Sequence, residues 1–275
     1  MAKEDRGHVF YYQDELNDDF EKTKSLKRID LPKDYKYIHT NPFFKAFSFW
    51  IYWLVAKPVL HIICFFAGIK VKGRENIKKV KKAGQAAFIY MNHTSFWDMI
   101  INQVSVVTWK RCNIIGYTDA LTLPKPIKLI VEGLGFIALP SSVSDYRKFS
   151  EALEYYQKKK RFTVIFPEAH VWPYYTKIRP FISTSFKYPA KLNAPIVPVV
   201  SCFTKKKFSD KLKITIYIGE AIYPKKELSV NENKEYLRNE CYKWMSETAE
   251  KYSTYNYYVY KKKEDDLDES KEEKI

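Results

Sequence analysis

The chain has 275 residues, 46% of them hydrophobic and 17% aromatic, which is enough apolar material for a sizeable core and sets one folded domain as the starting expectation. Its four cysteines, Cys64, Cys112, Cys202 and Cys241, lie far apart with no CxxC pair, which argues against a disulfide framework or a cysteine zinc site and suits a reducing compartment. The formal net charge of +15 calls for an anionic partner, whether nucleic acid, a phospholipid surface or an acidic carrier protein, without choosing among them.

Residues 1–42 form a charged arm that lacks the short apolar core and small-residue cleavage site of a signal peptide, so a cytosolic face is expected. Its aromatics, among them Phe10, Tyr12, Phe20, Tyr35 and Tyr37, could pack it onto another element. Residues 43–69 are the one strongly apolar stretch, interrupted by Lys45, Lys57, Pro58 and His61. A spanning helix needs about twenty uninterrupted apolar residues, and the runs on either side of Lys57-Pro58 are each nearer half that. The segment therefore predicts two short helices meeting near Pro58, a membrane-associated hairpin dipping into one leaflet with Trp50, Tyr52 and Trp53 as interface anchors. A buried hairpin of a soluble core and a single kinked span are the alternatives. The basic run VKGRENIKKVKKAG (71–84) would favour an anionic cytoplasmic leaflet.

From residue 86 the pattern turns to alternating strands and helices: AAFIYM, a helix from about Ser95, a short strand near Asn113 to Gly116, a helix after Pro124, GFIAL, and an amphipathic helix from Ser144 with Phe149, Leu153 and Tyr156 on one face. FTVIF (162–166), IVPVVSCF (196–203) and LKITIYIG (212–219) read as strands, and 232–252 as a last helix with Leu237, Cys241, Met245 and Tyr252 inward. This order predicts an α/β fold, a mixed, largely parallel sheet flanked by helices, with the helical hairpin before it. Residues 256–275, ending in KKKEDDLDESKEEKI, are expected to be a disordered charged tail.

NHTSFWD (Asn92 to Asp98) follows a predicted buried strand and opens a helix, which can bring the His93 imidazole to the Asp98 carboxylate. Such a carboxylate fixes the tautomer of the ring and leaves the other nitrogen as a base. The same residues also read as a helix N-cap with an acidic third position, a purely structural device.

Three further segments follow in order, GFIALPS (135–141), FPEAHVW (166–172) and APIVPVV (194–200). With NHTSFWD they resemble the four signature blocks of the glycerolipid and lysophosphatidate acyltransferases over roughly residues 86–224. The resemblance implies that 70–255 is an acyltransferase domain in which His93 is the general base and Asp98 its partner. Asn92 and Ser95, from the first block, are counted with the substrate-binding residues. Gly135 would let backbone pass close to substrate, or is only a structural bend. Glu168 would bind acceptor hydroxyls or order nearby loops, or is only a surface carboxylate; His170 lines the pocket or packs on Trp172.

The chain departs from the family at Ser141 and Val171, where the resemblance leads one to expect arginines for the acceptor phosphate. Lys177 and Arg179 are the basic residues downstream that could substitute, and a lysophospholipid with a larger head group becomes a candidate acceptor beside 1-acylglycerol 3-phosphate. The implied donor is acyl-CoA or acyl carrier protein, with no metal or organic cofactor. The implied partner is membrane phospholipid at the cytoplasmic face of the cell membrane. No nucleic-acid motif is recognisable and the apolar segment counts against that partner; the oligomeric state is left open.

Overall fold

The computed structural model describes residues 7–20, 30–32, 34–95, 98–101, 106–107 and 110–263. Strand β1 (Val9–Tyr12) belongs to the arm, and β2 (Lys70–Lys72) opens the main sheet. The central strands β3 (Phe88–Met91) and β6 (Phe162–Ile165) are buried at every residue, the composition of parallel strands covered on both faces. Between them in sequence come β4 (Cys112–Gly116) and β5 (Phe136–Ala138), and after them β7 (Ile196–Lys206) and β8 (Ser209–Ile218). The seven strands lie in the order β2-β8-β7-β3-β6-β4-β5. All neighbours pair in parallel except β7 and β8, which form an antiparallel hairpin. The sheet is therefore mixed and largely parallel, as the sequence predicts.

Alternate residues of the central strands enter two separate cores. Phe88 and Tyr90 of β3 join Phe149 and Leu153 of α6 (Val143–Lys158) and Leu237, Cys241 and Met245 of α8 (Val230–Tyr252). Ile89 and Met91 face the other way, onto Ile77 and Val80 of α3 (Arg74–Lys82). The side-chain period of two in a strand puts a helical layer on each face. Both long helices begin at serine caps: Ser142 accepts the Asp145 N–H, and Ser229 forms a reciprocal capping box with Glu232.

The apolar stretch folds as one continuous helix of 25 residues, Pro42–Phe66, instead of the expected hairpin. It consists of α1 (Pro42–Trp50), a π-helical turn (Ile51–Ala56) and α2 (Lys57–Phe66). The Lys57 N–H reaches the Tyr52 carbonyl five residues back, so Pro58 falls where the hydrogen-bond register returns to four. Its missing N–H removes a bond where the ladder is already changing step, and the chain need not turn. By length and composition the helix could cross a membrane, and only 17% of its most apolar window is buried.

Residues 256–275 differ from expectation at their start. Val259–Lys262 form β9, which pairs in parallel with β1 of the arm; the charged run from 264 onward lies outside the described residues. Phe10 of the arm stacks on Tyr260, and Tyr260 stacks on Trp172, so the arm's aromatics pack on the third signature segment.

Leu237 is fully buried where α8 meets the sheet. Leu237→Ala should lower unfolding stability by about 2–5 kcal/mol, measurable in a urea titration of the detergent-solubilised chain.

Candidate active site

At the carboxyl end of β3 the chain enters the loop 92–95, which is held by hydrogen bonds from β7, from the segment 168–174 and from Asp98. The Asn92 amide exchanges two hydrogen bonds with the backbone of Ser201 on β7, at 3.2 and 2.8 Å. The His93 N–H donates to Glu168 Oε2 at 3.1 Å. The His93 carbonyl accepts from the Trp172 N–H at 3.1 Å and the Thr94 carbonyl from the Tyr174 N–H at 3.0 Å. A loop tied at these points can hold a side chain in one place, as a site needs.

Asp98 begins the short helix α4 (Asp98–Ile101) and is buried. Its Oδ2 accepts the backbone N–H groups of Thr94 at 2.6 Å and Ser95 at 2.7 Å, and lies 3.5 Å from His93 Nδ1. That last separation is long for a hydrogen bond, as catalytic contacts often are before substrate binds. The His93 ring stacks on Phe166, with centroids 4.2 Å apart, and its side chain keeps 13% exposure. Nε2 has no hydrogen-bond partner among the described residues. The arrangement offers a stacked, oriented imidazole with one nitrogen toward a buried carboxylate and the other available as a base.

Glu168 is neither a surface carboxylate nor a group open to an acceptor. It is buried, with Oε1 accepting the Arg179 N–H at 2.9 Å and Oε2 near the Arg179 guanidinium at 3.7 Å. Burial pushes its carboxyl above the usual range, while Arg179 and the two backbone N–H groups act in the opposite direction. Its position fits the loop-ordering role among those expected. Arg179 is equally enclosed: its side chain has no exposure, lies over Trp172 at 4.9 Å, and donates to the carbonyls of Glu15, Glu168 and His170. Arg179 therefore cannot stand in for a phosphate-gripping arginine without unpacking, whereas Lys177 is exposed.

Two other expected contacts are also relocated. Asn92 is buried and committed to Ser201, so it holds the loop and does not face substrate. Gly135 sits at the start of β5 with φ +101°, and a Cβ there would lie 2.7 Å from the Cys112 carbonyl. Cys112 starts the parallel neighbour β4, so Gly135 is a backbone bend at the opposite end of the sheet from His93. Ser95 stays beside Asp98, and His170 lies at the rim, 3.4 Å from Asp19 of the arm.

The arm covers both positions where the expected arginines are missing. The Leu31 N–H donates to Ser141 Oγ at 3.1 Å, and the Phe20 N–H to the Val171 carbonyl at 3.2 Å. Trp172 Nε1 donates to the Asp18 carbonyl at 2.7 Å. Ser201 and Tyr174 as anchors of the loop, and Asp18 and Asp19 as partners of Trp172 and His170, were not singled out by sequence. Only long-range folding brings them there, and no local pattern marks them.

A family model described as Acyltransferase matches residues 68–202. Among solved structures, the chain is similar to the crystal structure of the 1-acyl-sn-glycerophosphate (LPA) acyltransferase PlsC from Thermotoga maritima. The TM-score is 0.52 at 19% identity, covering 77% of this chain and 91% of that one, which bears on the fold. The comparison with curated proteins gives no match.

The clamp can be tested through stability. Glu168→Ala strands a buried guanidinium and two backbone N–H groups and should cost about 3–5 kcal/mol, whereas Lys177→Ala on the exposed surface should stay within about 0.5 kcal/mol. Parallel denaturant titrations of the two variants check both.

Proposed function

We propose, from the match of residues 68–202 to the acyltransferase family model, that this protein transfers a fatty acyl group from a thioester donor to a hydroxyl of a glycerolipid. The observation that carries the reading is the His93–Asp98 pair on a loop clamped at the carboxyl end of β3, where sites of parallel α/β sheets lie. His93 Nε2 takes the proton of the acceptor hydroxyl as its oxygen attacks the thioester carbonyl. The tetrahedral intermediate collapses, the carbon–sulfur bond breaks, and the imidazolium returns the proton to the departing thiolate. Asp98 holds Nδ1 and stabilises the imidazolium.

The donor is acyl-CoA or acyl carrier protein, and the chemistry uses no metal or organic cofactor. The acceptor is a lysophospholipid with a larger head group, in preference to 1-acylglycerol 3-phosphate. What supports this is the arm at Ser141 and Val171 and the enclosure of Arg179, which leave a bare phosphate without a guanidinium fork near the rim. The helix Pro42–Phe66, with Phe43, Trp50, Leu54, Phe65 and Phe66 exposed, attaches the protein to the cytoplasmic face of the cell membrane, its apolar side in the lipid.

His93→Ala should reduce kcat by about 10²–10⁴-fold, with Asp98→Asn also impaired and thermal unfolding little changed for His93→Ala. The measurement is release of free thiol from acyl-CoA, and separately from acylated carrier protein, against a panel of lysolipids with purified protein. Equal activity in His93→Ala and the parent chain would refute the assignment, and no activity with any acceptor would favour a non-catalytic lipid-binding role.

A further inference from the structure

The opposite end of the sheet carries a cluster of cations that the chemistry above does not use. Lys110 and Arg111 precede β4, Arg161 precedes β6, and Lys160 Nζ lies 3.3 Å from where a Cβ on Gly84 would be, at the turn before β3. Because β3, β4 and β6 run parallel, these residues gather at one edge, the foot of the sheet. Lys81 at the end of α3 interacts with Lys110 and with Lys57 of the long helix, and Arg111 with Arg161. Neighbouring Lys79 and Lys158 have ion-pair partners in Glu220 and Glu154. None of the six forms an ion pair among the described residues.

Crowded like charges repel, and the repulsion is visible here. Burial first and then Arg161 bring Arg111 down to about 10, and burial followed by Lys110 and Lys78 lowers Lys81. An anion placed among them would relieve that cost. The nature of the anion follows from what adjoins the cluster. The Arg111 guanidinium lies 4.8 Å over the Tyr52 ring, and Lys57 Nζ 4.9 Å over the Trp53 ring, so the cations border the helix whose outward residues Phe49, Trp50, Leu54 and Val55 are all at least half exposed. Nucleic acid would satisfy the charges and leave the apolar face in water. An anionic bilayer satisfies both, with phosphates at the cations and acyl chains against the helix.

We propose that the foot of the sheet is a recognition surface for anionic phospholipid, Lys110, Lys160 and Arg161 taking lipid phosphates while the outer face of helix Pro42–Phe66 enters the leaflet. The inference rests on the membrane attachment proposed above and adds lipid selectivity to it; it does not depend on acyl transfer.

The test is flotation of the full chain with vesicles of phosphatidylcholine alone and of an equal mixture with phosphatidylglycerol, beside the triple variant Lys110→Gln, Lys160→Gln, Arg161→Gln. Each basic residue near an anionic surface is worth roughly fivefold in partitioning. The variant should therefore lose on the order of a hundredfold on the mixed vesicles, keep its binding to neutral ones, and unfold at the same temperature as the parent. High salt should erase the parent's preference. Equal partitioning of the parent chain onto both vesicles, a variant indistinguishable from it, or release by inorganic phosphate or duplex DNA in place of lipid would overturn the proposal. Failure to bind neutral vesicles at all would instead remove the helix attachment on which it rests.

Discussion

The Glu168 carboxylate is sunk beneath the end of β6, where it accepts the N–H of His93 on one oxygen and the N–H of Arg179 on the other. A carboxylate in that position carries a desolvation cost of several kcal/mol, offset only if every neighbour is fixed in place to meet it. This requirement couples three segments that are far apart in sequence: the loop after β3, the strand end at 166–168 and the descending chain at 179. Arg179 extends the coupling by donating to Glu15 in the arm. The orientation of His93 is thus a property of the whole carboxyl end of the sheet, and Asp98 faces a ring whose backbone is already held.

A second constraint shapes the long helix. Tyr52 and Lys57 are both buried although they are five residues apart, a spacing that an unbroken α-helix would rotate onto different faces. The π-helical turn restores the alignment by adding a residue to the turn. Lys57 can then donate to the Val107 carbonyl at 3.2 Å while Tyr52 donates to the Lys110 carbonyl at 3.2 Å. Lys57, one of the charges that interrupt the apolar run in sequence, is turned into the protein, while Lys45 near the helix start stays exposed.

These two constraints explain what was legible in the sequence and what was not. Strand periods, caps and the buried faces of α6 and α8 are local properties, and Phe149, Leu237 and Met245 are found where their spacing predicts. The approach of His93 to Asp98 was readable because a loop-to-helix transition is itself local. The roles of Asn92, Glu168 and Arg179 were not, since polar residues in a signature segment look the same whether they face a ligand or a distant backbone. Pro58 misled for a related reason: proline predicts a break only where the hydrogen-bond register is regular. The parallel pairing of β1 with β9 joins residues 9 and 259, a contact no local pattern encodes.

The polarity of the sheet gives the molecule two chemically distinct ends. Parallel strands of about four residues separate them by roughly 13 Å, with His93 at the carboxyl ends and the cation cluster at the amino ends. The helix Pro42–Phe66, about 37 Å long at 1.5 Å per residue, touches both. Ser48 donates to the Gly133 carbonyl and accepts from Arg111 at the foot, while α2 packs against α4, whose first residue is Asp98. Its exposed apolar side is continuous between those contacts. With the helix in one leaflet along that line, as proposed, the rigid element that places the cations also sets the depth of the His93 loop, so a change in how the foot meets a surface shifts that loop without touching any of its residues.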